Sequence, residues 1–133
     1  RLAEVLTPAE RAALARSCAG RVLDAARGSD VIVVCDDDEV DGWATARGAR
    51  TVRSDAPGLD AAARRGVDAA REAGHRLAMI VHADLPLARD LAAVLRGRTL
   101  AEAGGSVTIV PDRHGDGTNV LVVPTDAAFD FHY

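Results

Sequence analysis

Short apolar runs rich in β-branched residues recur along this chain, and between them the apolar residues fall at three- and four-residue steps. Val31-Ile32-Val33-Val34-Cys35 is the clearest run. It has no polar alternation and is bounded by Asp residues. Such a run reads as a strand buried on both faces, and a strand of that kind needs helices above and below it. Ahead of it, Thr7-Pro8-Ala9-Glu10 places an N-cap Thr, a Pro at the first helical position and a Glu at the third. Together these satisfy the orphan amides of a helix start. Leu14, Cys18, Val22 and Ala25/Ala26 continue that helix, and Gly28 is placed to end it.

The same alternation repeats. The pattern predicts a helix over 39–47, a strand over 50–53, and an Ala-rich helix over 59–73 closed by Gly74. A second buried strand follows over 77–82. After Asp84-Leu85-Pro86 a helical stretch is expected to about residue 103, broken near Gly97, and then strands over 107–110 and 119–123 flank a Gly-rich loop. Strands alternating with helices of this length predict a three-layer α/β fold with a mostly parallel sheet. At 133 residues and 48% hydrophobic content this is one domain with its own core.

Composition narrows the chemistry. All 16 basic residues are Arg, so no lysine chemistry is possible; this excludes a Walker phosphate loop, a Schiff-base enzyme and a working receiver domain. The net charge of −4 leaves no broad electrostatic footprint for nucleic acid or an anionic membrane. No run of about 18 apolar residues is present, so a cytoplasmic protein is the default expectation. Cys18 and Cys35 lack paired spacing and read as buried free thiols. The chain opens without Met and stops just after an apolar segment, at Phe131-His132-Tyr133, so a fragment of a longer protein is expected.

In open α/β sheets ligands bind outside the carboxyl ends of the strands. Those ends are acidic here: Asp36, Asp37 and Asp38 follow the first run, Asp84 the second, and Asp112 the third. Asp84, held by a Pro turn, reads either as a hard oxygen ligand for Mg²⁺ or as an N-cap of the following helix. The Asp36–Asp38 triplet reads as a nucleotide or metal contact, or as an N-cap cluster that complements the helix dipole. Ser54-Asp55-Ala56-Pro57-Gly58-Leu59-Asp60 is a Gly-containing turn into a helix, where free amides gather phosphates or bases. Pro111-Asp112-Arg113-His114-Gly115-Asp116-Gly117-Thr118-Asn119 carries more polar side chains than a turn requires. Its amides beside Gly117 and the Thr118 hydroxyl could hold a small carboxylate or phosphate with Arg113 as charge partner; a plain hairpin or crossover loop is the alternative. His82 reads as structural, and Trp43 as packing rather than ligand stacking.

Taken together, Arg1-Leu2 with the Thr7-Pro8-Ala9-Glu10 helix, Gly58-Leu59-Asp60, Ala83-Asp84-Leu85-Pro86 and the 111–119 loop resemble the guanylyltransferases of deazaflavin coenzyme F-420 biosynthesis. The resemblance runs over essentially the whole chain. It implies the Rossmann-like fold of the nucleotide-diphospho-sugar transferases. It also implies transfer of GMP from GTP to the phosphate of a small phosphorylated carboxylic acid, with loss of pyrophosphate. Asp84 would then be the catalytic residue and a Mg²⁺ ligand. Gly117 and Thr118 would hold the carboxylate of the phosphoacid, with Asp112 and Arg113 in the same pocket. Arg1, Gly58, Leu59 and Asp60 would contact the nucleotide, Asp60 standing where family members often carry Asn. The family's first strand, with its Lys residues, and a later Gly-x-x-Ser loop have no counterpart in residues 1–133, which would thus be a single nucleotidyltransferase domain lacking its first strand and its C-terminal part.

Within that family the acceptor is phosphoenolpyruvate, 2-phospho-L-lactate or 3-phospho-D-glycerate. The Ala-, Arg-, Gly- and Asp-rich composition suggests a GC-rich, actinobacterial source, for which phosphoenolpyruvate is expected. Two alternatives stand beside this reading. One is another nucleotidyltransferase of the same fold, of molybdenum-cofactor or sugar-phosphate type. The other is a non-catalytic receiver-like signalling domain with Asp36 and Asp37 as its acidic pair and Asp84 as phosphoacceptor, against which the absence of Lys weighs.

Overall fold

The computed structural model describes residues 2–54, 56–96 and 106–132. Helix α1 (Pro8–Ala25) starts as expected: the Glu10 amide donates to Thr7 Oγ1 at 3.3 Å, and Thr7 N donates back to Glu10 Oε2 at 2.8 Å. Those bonds hold the Glu10 carboxyl below its ordinary pKa, the Thr7 backbone bond being the larger cause. The helix stops three residues before Gly28, which turns the chain at φ +91°. Strand β1 (Ile32–Val34) pairs in parallel with β2 (Arg50–Val52) across α2 (Asp38–Thr45). Helix α3 (Leu59–Glu72) ends before Gly74, at φ +86°, as expected.

Strand β3 (Leu77–Val81) pairs antiparallel with β5 (Thr118–Pro124), and β5 pairs antiparallel with β4 (Thr108–Pro111). The α/β fold class and the mostly parallel strand direction stand: β2 is parallel to β1, while β3 and β4 run the same way as each other on either side of β5. Among the described residues β5 is the reversed strand, because it enters between β3 and β4 by a short hairpin loop rather than a helical crossover. The helical stretch expected after Pro86 is also shorter. Residues 85–91 form turns, α4 covers only Ala92–Arg96, and the remainder of that expectation, residues 97–105, lies outside the described residues.

Three layers are built by strand alternation. Ala78 and Ile80 of β3, with Leu121 and Val123 of β5, face Ala63 and Val67 of α3 and Phe131. Met79, Val81 and Val120 face the other way, against Val22 and Ala26 of α1 and against Leu91. Val122 and Val123 are completely buried, and Thr125 closes the end of β5 by donating its hydroxyl to the His75 carbonyl at 2.6 Å. Glycine matters at one packing contact: a Cβ on Gly66 would lie 3.3 Å from Val34 Cγ2, so α3 approaches β1 closely there.

Two expectations about burial fail. The apolar runs of β1 and β3 are only half-buried along their whole length. Cys18 is buried, whereas Cys35, just past β1, is half-buried; both are free. The cause is a cavity of about 660 Å³ between β1 and β3, which do not bond each other. Truncating the buried centre tests where the core lies. Val122→Ala should lower the unfolding free energy by about 2–3 kcal/mol, while Ile109→Ala, on an edge-strand residue 59% exposed, should change it by less than about 0.5 kcal/mol; urea denaturation of both variants measures the difference.

Candidate active-site rim

The strand register decides which loops share an end of the molecule. His75 and Asp30, just ahead of β3 and β1, pair at 3.1 Å, so the two strands start side by side, and since both line one cavity along their length they run the same way. Strand β5 is antiparallel to β3, and the His82 amide reaches the Asn119 carbonyl at 3.4 Å. The start of β5 therefore lies beside the end of β3. Pro111, at the end of β4, is the register partner of Thr118. Asp84, Asp112, Arg113, Gly117 and Thr118 thus collect at one rim, as the sequence reading requires. Asp36–Asp38 and Gly58-Leu59-Asp60 follow β1 and β2 onto the same end. Between the two groups opens the mouth of the cavity, lined there by Val40, Trp43, Leu59, His82 and Ala83. Arg1, expected at the nucleotide, lies outside the described residues.

Asp84 is exposed on a turn two residues past His82, and among the described residues none bonds its carboxylate. The N-cap alternative fails, since α4 begins only at Ala92. A lone exposed carboxylate fits Mg²⁺ as that ion is ordinarily held, by one or two carboxylates with phosphate oxygens and water completing the shell. Among the described residues no group of three or more His, Cys, Asp or Glu side chains could hold a metal.

The 111–119 loop is organised by Asp112. Its Oδ1 accepts from the His114 and Gly115 amides at 2.8 Å each, and its own amide donates to the Gly117 carbonyl at 2.8 Å. These amide bonds, His114 first, outweigh desolvation and hold the Asp112 carboxyl below its ordinary range. Gly117 fits closely against the carboxylate: a Cβ there would lie 3.1 Å from Asp112 Oδ2, which would have to give by a few tenths of an ångström. Arg113 Nε donates to His114 Nε2 at 2.8 Å, which ties the exposed arginine to the loop. The half-buried Thr118 hydroxyl has no partner among the described residues. Asp112 thus acts by shaping the loop, while Thr118 and Arg113 are the groups open to a ligand.

On the other side of the mouth, Asp37 is the N-cap of α2, accepting from Glu39 N at 2.8 Å and Val40 N at 3.0 Å. The cap reading of the triplet holds for this member. Asp38 pairs with Arg53, which also donates to the Asp36 carbonyl at 2.9 Å. Sequence reasoning missed Arg53 as the clamp joining the ends of β1 and β2; an arginine directly after β2 and opposite an acidic triplet was the available signal. Gly58, at φ +102°, is the N-cap of α3 and gives it no side-chain bond, so a 14-residue helix starts at the rim. Trp43 lies under the Arg47 guanidinium, 4.5 Å from its centre, so packing describes it. Burial first, then the Asp41 charge, push the Cys35 thiol up, so it is not a thiolate nucleophile at neutral pH.

The layered sheet, with its loop-built rim at the strand ends, matches the fold of a nucleotide-diphospho-sugar transferase structure. A crystal structure from Desulfovibrio desulfuricans G20, of a protein described by that name, matches 95% of this chain with a TM-score of 0.72 at 19% identity, spanning 56% of its own length. The chain belongs to the family described as guanylyl transferase CofC like, which it matches over residues 1–133. Two curated relatives are named phosphoenolpyruvate guanylyltransferase. That of Rubrobacter xylanophilus is 36% identical over all of this chain and 66% of its own length. That of Sphaerobacter thermophilus is 40% identical over 96% of this chain and 63% of its own. The chain thus spans just under two thirds of these relatives.

The Asp112 bonds carry a pH signature. Its folded pKa is depressed, so the stability it lends the loop is complete above its unfolded value of about 3.9 and disappears only as pH falls through the lower folded value. The His114 and Gly115 amide resonances should move together in an acid titration, with a midpoint below 3.9. A midpoint at or above that value would contradict the bonding.

Proposed function

We propose that the protein containing this chain is a guanylyltransferase that transfers GMP from GTP to the phosphate of phosphoenolpyruvate, a step of coenzyme F-420 biosynthesis carried out in the cytoplasm. The observation that carries this reading is the Asp84 carboxylate at the end of β3, set beside the Asp112-organised loop and the Thr118 hydroxyl, both groups without a partner among the described residues. It is supported by the names of the two relatives.

In this reading a phosphate oxygen of the acceptor attacks the α-phosphorus of GTP in line. The new P–O bond forms as the bond to the bridging oxygen breaks, and pyrophosphate leaves with the electron pair. Such a reaction asks the protein to position two polyanions and balance their charge rather than to supply a nucleophile. The rim fits that demand, with a protonated Cys35 and no lysine in the chain. Thr118 and the amides beside Gly117 hold the acceptor carboxylate, with the exposed Arg113 as its countercharge. The N-terminus of α3 after Gly58 meets the nucleotide, where Leu59 offers an exposed apolar side chain and Asp60 a carboxylate. Asp84 is the carboxylate that would hold Mg²⁺, which in that place supplies charge neutralisation on the phosphates.

Pyrophosphate release by the complete protein, with GTP and Mg²⁺ and each of phosphoenolpyruvate, 2-phospho-L-lactate and 3-phospho-D-glycerate in turn, should require GTP and proceed with phosphoenolpyruvate. Asp84→Asn should lower kcat by on the order of 100-fold or more, with unfolding unchanged. Release with ATP alone, or full activity of Asp84→Asn, would overturn the reading.

A further inference from the structure

We propose that His82 is a further catalytic residue of the transfer, donating a ring N–H hydrogen bond to a non-bridging oxygen of the α-phosphate of GTP. The inference rests on the guanylyl transfer proposed above and adds to it a group that meets the reacting phosphorus.

The strand ladder places the imidazole. The His82 amide reaches the Asn119 carbonyl at 3.4 Å, which carries the β3–β5 ladder one residue past Val81, so side-chain alternation holds through position 82. Ala78 and Ile80 pack on the side of Ala63 and Val67 of α3, whereas Met79 and Val81 pack on the side of Val22 and Ala26 of α1. His82 continues the first row. Its side chain therefore leaves the strand on the α3 side, and it lines the cavity mouth with Leu59 and Ala83. Leu59 is the first residue of α3. Half-burial leaves part of His82 accessible while the strand holds its backbone.

That position lies between the two substrate-holding groups. On one side is the start of α3 at Gly58-Leu59-Asp60, assigned to the nucleotide. On the other is Thr118, assigned to the acceptor, directly before the Asn119 whose carbonyl takes the His82 amide. Asp84 follows two residues later, no more than about 7 Å along the chain. In an in-line displacement the α-phosphorus sits between the attacking oxygen and the departing pyrophosphate. A side chain at the junction of the two sites thus meets the α-phosphate. The arginines to either side are tied to neighbours, Arg53 to Asp38 and the Asp36 carbonyl, and Arg113 to His114.

An imidazole suits the task, because it carries at least one N–H whatever its protonation state. The ring keeps its proton throughout. The acceptor phosphate attacks as an anion and pyrophosphate leaves as one, so the step asks for no proton transfer. A donor fixed in a half-buried place aligns the phosphate and stabilises its charge as one P–O bond forms and the other breaks, and its loss falls on kcat. A ring that merely filled the mouth between Leu59 and Ala83 would behave differently, since an apolar residue of similar size would replace it well.

Steady-state pyrophosphate release by the complete protein, with GTP, Mg²⁺ and phosphoenolpyruvate, separates these roles in wild type, His82→Leu and His82→Gln. Leu fills the mouth without a donor, whereas Gln returns an amide N–H. His82→Leu should lower kcat on the order of 100-fold and leave both KM values within about threefold, and His82→Gln should recover about tenfold of that loss. In the unsubstituted protein, the ring nitrogen resonances of His82 should shift when the α,β-methylene analogue of GTP is added with Mg²⁺. Full kcat in His82→Leu, a Gln variant no faster than the Leu variant, or ring resonances that stay in place would each overturn the role of His82 and leave the reaction standing. Absence of release by the wild-type protein would overturn the reaction itself, and this role with it.

Discussion

The pairing of β3 with β5 is the constraint on which the rest of this molecule depends. Five consecutive register pairs, from Leu77 with Pro124 to Val81 with Val120, join the strand that carries Asp84 to the strand that begins at Thr118. Shifting this ladder by one residue would turn Leu121 and Val123 from α3 toward α1 and expose the other face of β5 to the wrong helix. The buried face therefore fixes the register. Register in turn fixes that Asp84, Gly117 and Thr118 share a rim, without any direct bond among them.

Charge plays a smaller part in that stability than its abundance suggests. The arginine ion pairs, such as Arg27–Asp24 and Arg96–Asp90, lie on exposed side chains, where such pairs contribute about 0–1 kcal/mol each. The charges with local consequences accept backbone amides: Asp37 at the start of α2, and Asp112 in its loop. Asp112 and Gly117 form one unit, because the Asp112 amide donates to the Gly117 carbonyl at 2.8 Å and its carboxylate packs closely against the glycine.

Much of this was legible in the sequence, and the exceptions share a cause. The Thr7–Glu10 capping box, the Gly74 stop and the run of strands and helices were readable because each depends on residues within a few positions of one another. The polar loop at 111–119 and Asp84 were readable as strand-end features. The antiparallel entry of β5 was not, since a Gly-rich loop between apolar runs serves a hairpin as well as a crossover. Nor was the half-burial of Ile32–Val34 and Leu77–Val81. Their composition reads as a strand buried on both faces, whereas the cavity of about 660 Å³ beside them is lined by residues far apart in sequence, which no local pattern announces. Arg53 was missed because its partners, Asp36 and Asp38, are distant in sequence and meet it only through β1–β2 pairing.

The central claim is that the end of β3 and the start of β5 form the phosphate-handling rim. Paramagnetic relaxation tests it most directly: Mn²⁺ is titrated in place of Mg²⁺ into the labelled complete protein with GTP present. The account predicts selective broadening of the amides of His82 to Leu85, followed by those of Gly117 and Thr118, while Gly28, Gly48 and Gly74 at the opposite end stay sharp. Broadening centred on Asp30 and His75, or confined to the acidic residues of α2, would contradict it.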